Sequence, residues 1–558
     1  MNIYDKVPVK VQKKSGFDKS FQNLFTAKVG TVVPILTDEL IPNSTVNLRL
    51  AISTQLPPLA SDTFMRVKQK YAAFFVPTRI LVPRYEDWLT GNNADGAKVQ
   101  LPIFTFNPEA DKNAYGNGSL LDYLGFKCSV TNFSELRPIR ISALPMLAYH
   151  KIWNDWFRNS LVQKDIFSKA ITTSTVYNPA TSSIIVPNDV SANAHTFNYS
   201  QTGSSVTAGG SKFDDDVDIS ALRQANFGSD LYTSCTPKPQ NGVAQSVSFN
   251  IPQVQGAQGS FTISALRAAN SMQQFLERNN LAGNRLVDYV RAQYGANLND
   301  AIAQRPILLG AGSFDVYSKG IYQTTNDVTI TGTTSGTTSV SSSNPFGSVG
   351  SRYGSAYVDG NDLVIKGFTA QEPGYLMVVT WLSPKVTYST GVDPIFKRYL
   401  VVSSQSDMAN PILQNVGNEP IYARQLSMDQ AITDDSNAIF GYNDRYANWK
   451  DKMDEVHGLL RDNDTLASFA LQRTFGTTGT TSGVAPKIGS DFLRIPTTYL
   501  DQVSAVSGDV SKFGYWCDTF FDYKVSMPLA RYSVPSLQDP AYEHGDDIII
   551  DRTGKQLS

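Results

Sequence analysis

Apolar and polar positions alternate through residues 46–54, with Val46, Leu48, Leu50 and Ile52 on one side and Asn47, Arg49 and Ser53 on the other. That period of two predicts a half-buried strand. It recurs between Thr63 and Pro77 through Met65, Val67, Tyr71, Ala73 and Phe75, and the proline ends the ladder. Residues 363–368 and 375–382 form a further pair across the turn Glu372-Pro373-Gly374. The second of them is an unbroken apolar run, which predicts a strand covered on both faces. Residues 515–525 supply a last long strand, and Ile548-Ile549-Ile550 stand in the closing tail.

A different spacing governs residues 142–161. Tyr149, Ile152/Trp153, Trp156/Phe157 and Leu161 fall three and four apart, with Lys151, Asn154, Asp155 and Arg158 opposite. This predicts a helix packed on a core through Trp153 and Trp156, with Ser142 as its cap and Pro145 in its first turn. The same periodicity marks residues 264–278, where Leu266, Ala269, Met272 and Phe275/Leu276 share a face. Gly283 stops that helix. Asn284 can cap the next, whose stripe is Leu286/Val287, Val290 and Tyr294 and which ends at Gly295. A fourth helix is expected from about Asn443, with Tyr446, Trp449, Met453 and Val456 inward.

Two stretches break these patterns. Residues 172–228 are rich in Ser, Thr, Asn and Gly, with strand-like pieces such as 183–186, and read as a surface excursion without its own core. Residues 331–354 are a low-complexity Thr/Ser/Gly tract. Strands separated by hundreds of residues, with helices and loops between them, predict a mainly β fold of high contact order. The expected architecture is an antiparallel sandwich with long helical and loop insertions, for which a jelly roll is one solution.

Composition sharpens this picture. The 26 Tyr, 29 Phe, 39 Gly and 28 Pro favour strands and turns. Only 18% of residues are charged, against about 25% in an ordinary soluble domain, as expected of a surface covered by other protein. A net charge of −2 gives no global attraction to polyanions. Cys128, Cys235 and Cys517 are too few and too dispersed for a disulfide framework or a zinc motif, so they read as reduced. No apolar leader or membrane-length run is present, which predicts a soluble chain made inside the cell.

Residues 1–30 depart from the average, with Lys6, Lys10, Lys13, Lys14, Lys19 and Lys28 against Asp5 and Asp18, and Phe17, Phe21 and Phe25 interleaved. This segment reads as a solvated tail, or as an arm held against something acidic and docked by its phenylalanines. Their spacing of four also fits a short helix. No G-x-S-x-G, H-E-x-x-H, phosphate-binding loop or C-x-x-C occurs, and His150, His195, His457 and His544 sit in no catalytic context. Asp214, Asp215, Asp216 and Asp218 lack the ligand register of a calcium loop. The chain is not expected to be an enzyme or to hold a metal or cofactor.

Five stretches, in order along nearly the whole chain, carry a family likeness. They are Phe74-Phe-Val-Pro-Thr-Arg79 with Glu86-Asp-Trp-Leu-Thr-Gly91; Leu144-Pro145 to Trp156-Phe-Arg158; Leu276-Glu-Arg278 through Gly283-Asn-Arg285 to Gln304-Arg-Pro306 and Leu309-Gly310; Phe440-Gly-Tyr-Asn-Asp-Arg-Tyr446; and Ser533-Val-Pro-Ser-Leu537. In these the chain resembles the major capsid proteins of the Microviridae, small single-stranded DNA bacteriophages, and most closely the gokushovirus branch. The resemblance implies a single protomer over residues 1–558, an eight-stranded jelly roll with long insertions. Sixty copies would close a T=1 shell around a single-stranded genome, assembled in the host bacterial cytoplasm. The family's three-fold protrusion has no clear counterpart, because residues 239–261 are short.

The resemblance also implies partners: other copies of the chain, the viral DNA, a small basic packaging protein, a scaffolding protein and a host receptor, with no membrane insertion. Lys10, Lys13 and Lys14 are the candidate contacts to DNA, although this arm can instead hold a neighbouring protomer. Lys151, Asn154 and Arg158 are candidates for contact with a neighbour or the genome, and the excursions at 172–228 and 331–354 for the outer surface. The alternative is a β-rich host-recognition spike or adhesin; the sequence shows neither the fibrous repeats nor the trimerising segment expected of one.

Overall fold

The computed structural model describes residues 14–61, 63–82, 85–90, 101, 103–106, 116–127, 139–163, 166, 176–178, 183–188, 193–197, 221–240, 263–282, 285–322, 329–330, 340–341, 352–396, 409–427, 438–461, 466–473, 475, 486–505 and 514–529. Ten strands make two antiparallel sheets. They are β1 (Ser15–Asp18), β2 (Phe21–Ala27), β3 (Val33–Leu40), β4 (Thr45–Gln55), β5 (Val67–Pro77), β6 (Ile307–Asp315), β7 (Tyr317–Tyr322), β8 (Arg352–Thr369), β9 (Gly374–Pro384) and β10 (Tyr515–Met527). The six-stranded sheet runs β1/β2–β10–β4–β8–β7, and the four-stranded sheet β6–β5–β9–β3. The strand count therefore differs from the eight expected. Part of the difference lies in β1 and β2, which share one edge of β10.

Strand β10 shows why the sheets pair. Its odd-numbered residues from Tyr515 to Met527 are buried in unbroken alternation with more exposed even-numbered ones. The buried row meets the other sheet: Gln69 Nε2 reaches Cys517 Sγ at 3.8 Å, and Tyr523 donates its hydroxyl to Asp38 at 2.7 Å. Phe75 packs on Phe368 with ring centroids 5.2 Å apart. Gly310 of β6 lies so close to β8 that a Cβ would stand 2.1 Å from the Val364 carbonyl, so only glycine allows this approach of the sheets.

Helix α1 (Leu144–Ile152) forms a third layer on the outer face of the four-stranded sheet. The predicted helix to Leu161 instead changes after Ile152 into a π turn, Trp153–Phe157, and ends at Arg158 in extended conformation. Ser142 is not the cap residue; Ala143 occupies that position, while Pro145 does sit in the first turn. The widened turn sets Trp156 and Phe157 side by side against Phe74, with centroids at 5.6 and 6.5 Å, and brings Phe157 to Trp381 at 4.7 Å. Strands β5 and β9 are thereby covered on both faces, as the apolar run at 375–382 requires.

The expected polar side of α1 is not a surface. Asn154 and Arg158 are buried, and Lys151 pairs with Asp155 at 3.0 Å. The π turn leaves backbone carbonyls without helical partners. Arg285 Nη2 donates to the carbonyls of Asn154 and Arg158, each at 2.8 Å, while Arg158 donates to those of Asn154 and Gln163.

Helix α2 (Ile263–Ala282) and helix α3 (Leu286–Tyr294) form the predicted pair, with Gly295 in left-handed conformation closing α3. Arg285, not Asn284, is the residue that enters α3, and it makes no side-chain cap. The helix expected from Asn443 is a single turn, Ala447–Lys450. Tyr446, at φ 63°, places a left-handed residue at its start, and Trp449 is 48% exposed instead of inward.

Residues 172–228 hold a small antiparallel meander of Val176–Asn178, Ser183–Asn188 and Asn193–Phe197. By residue 221 the chain has re-entered the body: Ala225 and Phe227 are buried, and the Ala225 N–H donates to the Gly30 carbonyl at 2.7 Å. The 331–354 tract lies on the connection between β7 and β8, which pair from Tyr317↔Tyr357 out to Tyr322↔Arg352. Asp214–Asp218, Cys128, residues 533–537 and the tail at 548–550 lie outside the described residues.

Truncating Phe74, which is 2% exposed between the second and third layers, is expected to cost about 3–5 kcal/mol. Phe520→Ala, at a side chain 50% exposed on the outer sheet face, should stay within about 0.5 kcal/mol. Urea unfolding of the unassembled chain measures both; equal losses would contradict the layered packing.

Candidate assembly and nucleic-acid surfaces

The N-terminal segment from Ser15 onward is sheet, not a helix or a free tail. A spacing of four is also a multiple of the strand period, so Phe17, Phe21 and Phe25 share one face of β1 and β2. Phe21 stacks on Phe521 at 5.0 Å and Phe25 meets Tyr123 edge-on at 6.4 Å. The phenylalanines thus dock this segment on β10 and on Tyr123 of the same chain. Lys19 is held by Asp38 at 2.7 Å, the same carboxylate that accepts from Tyr523.

Lys14 is exposed at the outer end of β1, where its Nζ donates to Thr45 Oγ1 at 3.3 Å. Lys10 and Lys13 lie outside the described residues. Beside β2 opens a cleft of about 1330 Å³, whose wall carries Lys28 and Lys127 together with Asp122 and Asp518. Its mixed charge selects neither sign. The outer face of the six-stranded sheet is likewise mixed, with exposed Tyr317, Tyr357, Trp516 and Phe520 around Asp518 and Asp522.

Groups that could do chemistry are instead spent on holding segments together. Arg473 is buried with its guanidinium carbon 4.6, 5.0 and 3.8 Å from the ring centroids of Phe227, Phe475 and Phe492, and it donates to the Phe492 carbonyl. Such contacts strengthen as water is removed. Tyr388 donates to Asp230 at 2.8 Å; burial and that carboxylate push its hydroxyl far above the usual tyrosine range. A phenol so raised carries no charge at neutral pH and keeps its role as donor. The cluster joins four segments distant in sequence, and nothing in the pattern around Arg473 signals it.

The cysteines behave similarly. Burial pushes Cys235 up to about 12 and Cys517 up to about 11, so both stay thiols. His150 is buried and accepts from Arg223 Nε at 3.2 Å, whereas His457 is exposed beside Glu455. Among the described residues no group of three or more His, Cys, Asp or Glu could hold a metal ion, and no helix is long and apolar enough to cross a membrane. Of the residues expected to face a neighbour or the genome, Asn154 and Arg158 are thus withdrawn into the core, and Lys14 is left at a sheet edge.

Comparison with known proteins places this architecture. The sequence pattern of the family described as capsid protein (F protein) matches residues 5–260 and 253–537. The chain is similar to capsid protein VP1 of Chlamydia phage 1, at 26% identity over 96% of this chain and 98% of that protein. It is similar to capsid protein VP1 of Bdellovibrio phage phiMH2K at 25% identity over 96% and 97%, and to that of Spiroplasma virus 4 at 22% over 91% and 93%. Matched over nearly its whole length by this family pattern and by such relatives, the chain belongs to the Microviridae capsid protein family.

Proposed function

We propose that this chain is the shell-forming protein of a bacteriophage, closing as sixty copies on T=1 icosahedral lines around a single-stranded DNA genome. The observation that carries the reading is the near full-length match to proteins named capsid protein VP1. The same match gives the spike or adhesin alternative no support. In this reading the two-sheet sandwich is the jelly-roll shell unit, extended at one edge by β1 and β2, and the chain works in the virion after assembly in the host cytoplasm. Assembly buries apolar surface between copies, on the scale of thousands of Å² that obligate contacts require. The 18% charged fraction suits that role.

Lys10, Lys13 and Lys14 then face the interior, where they meet genome phosphates directly or beside a small basic packaging protein. Lys14 supports this reading by standing exposed at the end of an edge strand. The excursions at 172–228 and 331–354 face outward and carry host-receptor recognition, since loops carry contacts while the sandwich carries the shell. A scaffolding protein guides closure.

Each phosphate neutralised on a single strand contributes roughly −0.7 to the slope of log K against log salt. Lys10→Gln, Lys13→Gln and Lys14→Gln together are expected to flatten the salt dependence of single-stranded DNA binding by about 2; a filter-binding titration showing an unchanged slope would sink this assignment. Deleting residues 331–351 should abolish adsorption of assembled particles to the host while shells still form. Adsorption at the parental level would remove that loop from recognition.

A further inference from the structure

We infer that the outer face of the α2–α3 hairpin is a second contact surface for single-stranded nucleic acid. The inference rests on the reading that the shell encloses such a genome. Its basis is the way the hairpin sorts its residues. Along α2 it is polar side chains that turn toward the body: Gln273 donates to Gln240, and Asn280 donates to the Lys238 carbonyl at 2.8 Å and to Thr236 Oγ1 at 3.1 Å. Leu266, Met272 and Phe275, from the stripe expected to share one face, are 47%, 47% and 37% exposed. Phe275 meets Tyr289 edge-on at 6.5 Å, and Tyr289 meets Tyr294, which is 72% exposed. An aromatic step therefore runs out of the protomer from one helix to the other.

Charge is sorted the other way. Arg267 and Arg278 are exposed and eleven residues apart, three turns along one side of α2, a span of about 16 Å. Exposed Asn270, Ser271 and Gln274 lie between them, and Arg291 is exposed on α3. Among the described residues no ion pair engages these three arginines. The helices hold only two acids, and both are partly withdrawn. Glu277 accepts from Gln273 at 2.9 Å and packs on Gly417, where a Cβ would stand 2.8 Å from its Oε1. Asp288 favours the charge of the half-buried Arg285.

The result is a face of cations, amides and a hydroxyl, bordered by aromatic rings, with no exposed carboxylate among the described residues of the two helices. Its complement is a polyanion that also presents flat π-surfaces. Single-stranded nucleic acid has both properties, with phosphates for the arginines and bases for Phe275 and Tyr294. A second copy meeting this face across a two-fold axis would bring arginine clusters together with no acid between them.

The test uses the full-length chain and a fluorescent oligo-dT, titrated over a range of salt concentrations. Melting curves and electron microscopy of particles are read separately on the same preparations. In the Arg267→Gln/Arg278→Gln/Arg291→Gln variant the log–log salt slope should flatten by about 2. In Phe275→Ala/Tyr294→Ala, affinity should fall at least about thirtyfold with the slope kept, the loss of two stacked bases. Wild-type affinity and slope in both variants would overturn the inference. Unchanged binding with loss of particles would overturn it too, assigning the hairpin to contact between copies. A parental chain that forms particles but does not bind oligo-dT would instead refute the genome reading beneath it.

Discussion

Double-sided burial of β5 and β9 is the constraint on which the rest of the protomer depends. One face of β5 presents Gln69, Tyr71 and Phe75 to the six-stranded sheet; the other presents Phe74 to Trp156 and Phe157. A strand with two apolar faces cannot end a protein at a sheet surface, so a third layer has to form. Helix α1 provides it, and its π turn is what lets two consecutive aromatics reach the same sheet. The carbonyls released by that turn need donors from elsewhere, which fixes Arg158 and Arg285 in place. The α2–α3 hairpin is thereby tied, through Arg285, to the layer beneath it.

Much of this was legible in the sequence wherever a single periodicity dominated. The alternation at 46–54, the apolar run at 375–382 and the long strand from Tyr515 all appear with nearly the expected bounds. Legibility failed where two periods coincide or where polar residues are buried. Phenylalanines four apart fit a helix face and a strand face equally, and only pairing with β10 decides for the strand. Asn154 and Arg158 read as solvent-facing because their partners are backbone carbonyls created by an irregular turn, which no side-chain pattern encodes. In α2 the apolar spacing marks a shared face but not its direction, which is set by hydrogen bonds from Gln273 and Asn280 that turn polar side chains to the body.

The family likeness was legible at a different level, in short motifs whose physical roles the structure explains. Arg305 of the Gln304-Arg-Pro306 motif stacks its guanidinium 4.3 Å from the Trp156 ring centroid, and the Pro306 carbonyl accepts from the same indole at 2.9 Å. Two motifs 150 residues apart in sequence are thus one packing unit. Arg79, from a third motif, donates to Glu372 beside the turn that joins β8 to β9. What the described residues contribute is accordingly a layered body, with the α2–α3 hairpin tied to it through Arg285. Its buried ionisable groups serve cohesion: Arg473 ties loops, Tyr388 donates to Asp230, and both described thiols are held neutral.

Closure into a shell is the claim on which the functional reading turns, and particle mass measures it most directly. Charge-detection mass spectrometry of material assembled in cells, with the scaffolding partner supplied, should give a sharp species of at least about 3.7 MDa, sixty chains of 61.2 kDa, with enclosed nucleic acid adding to it. Monomers or trimers alone at every concentration, with and without that partner, would contradict the account.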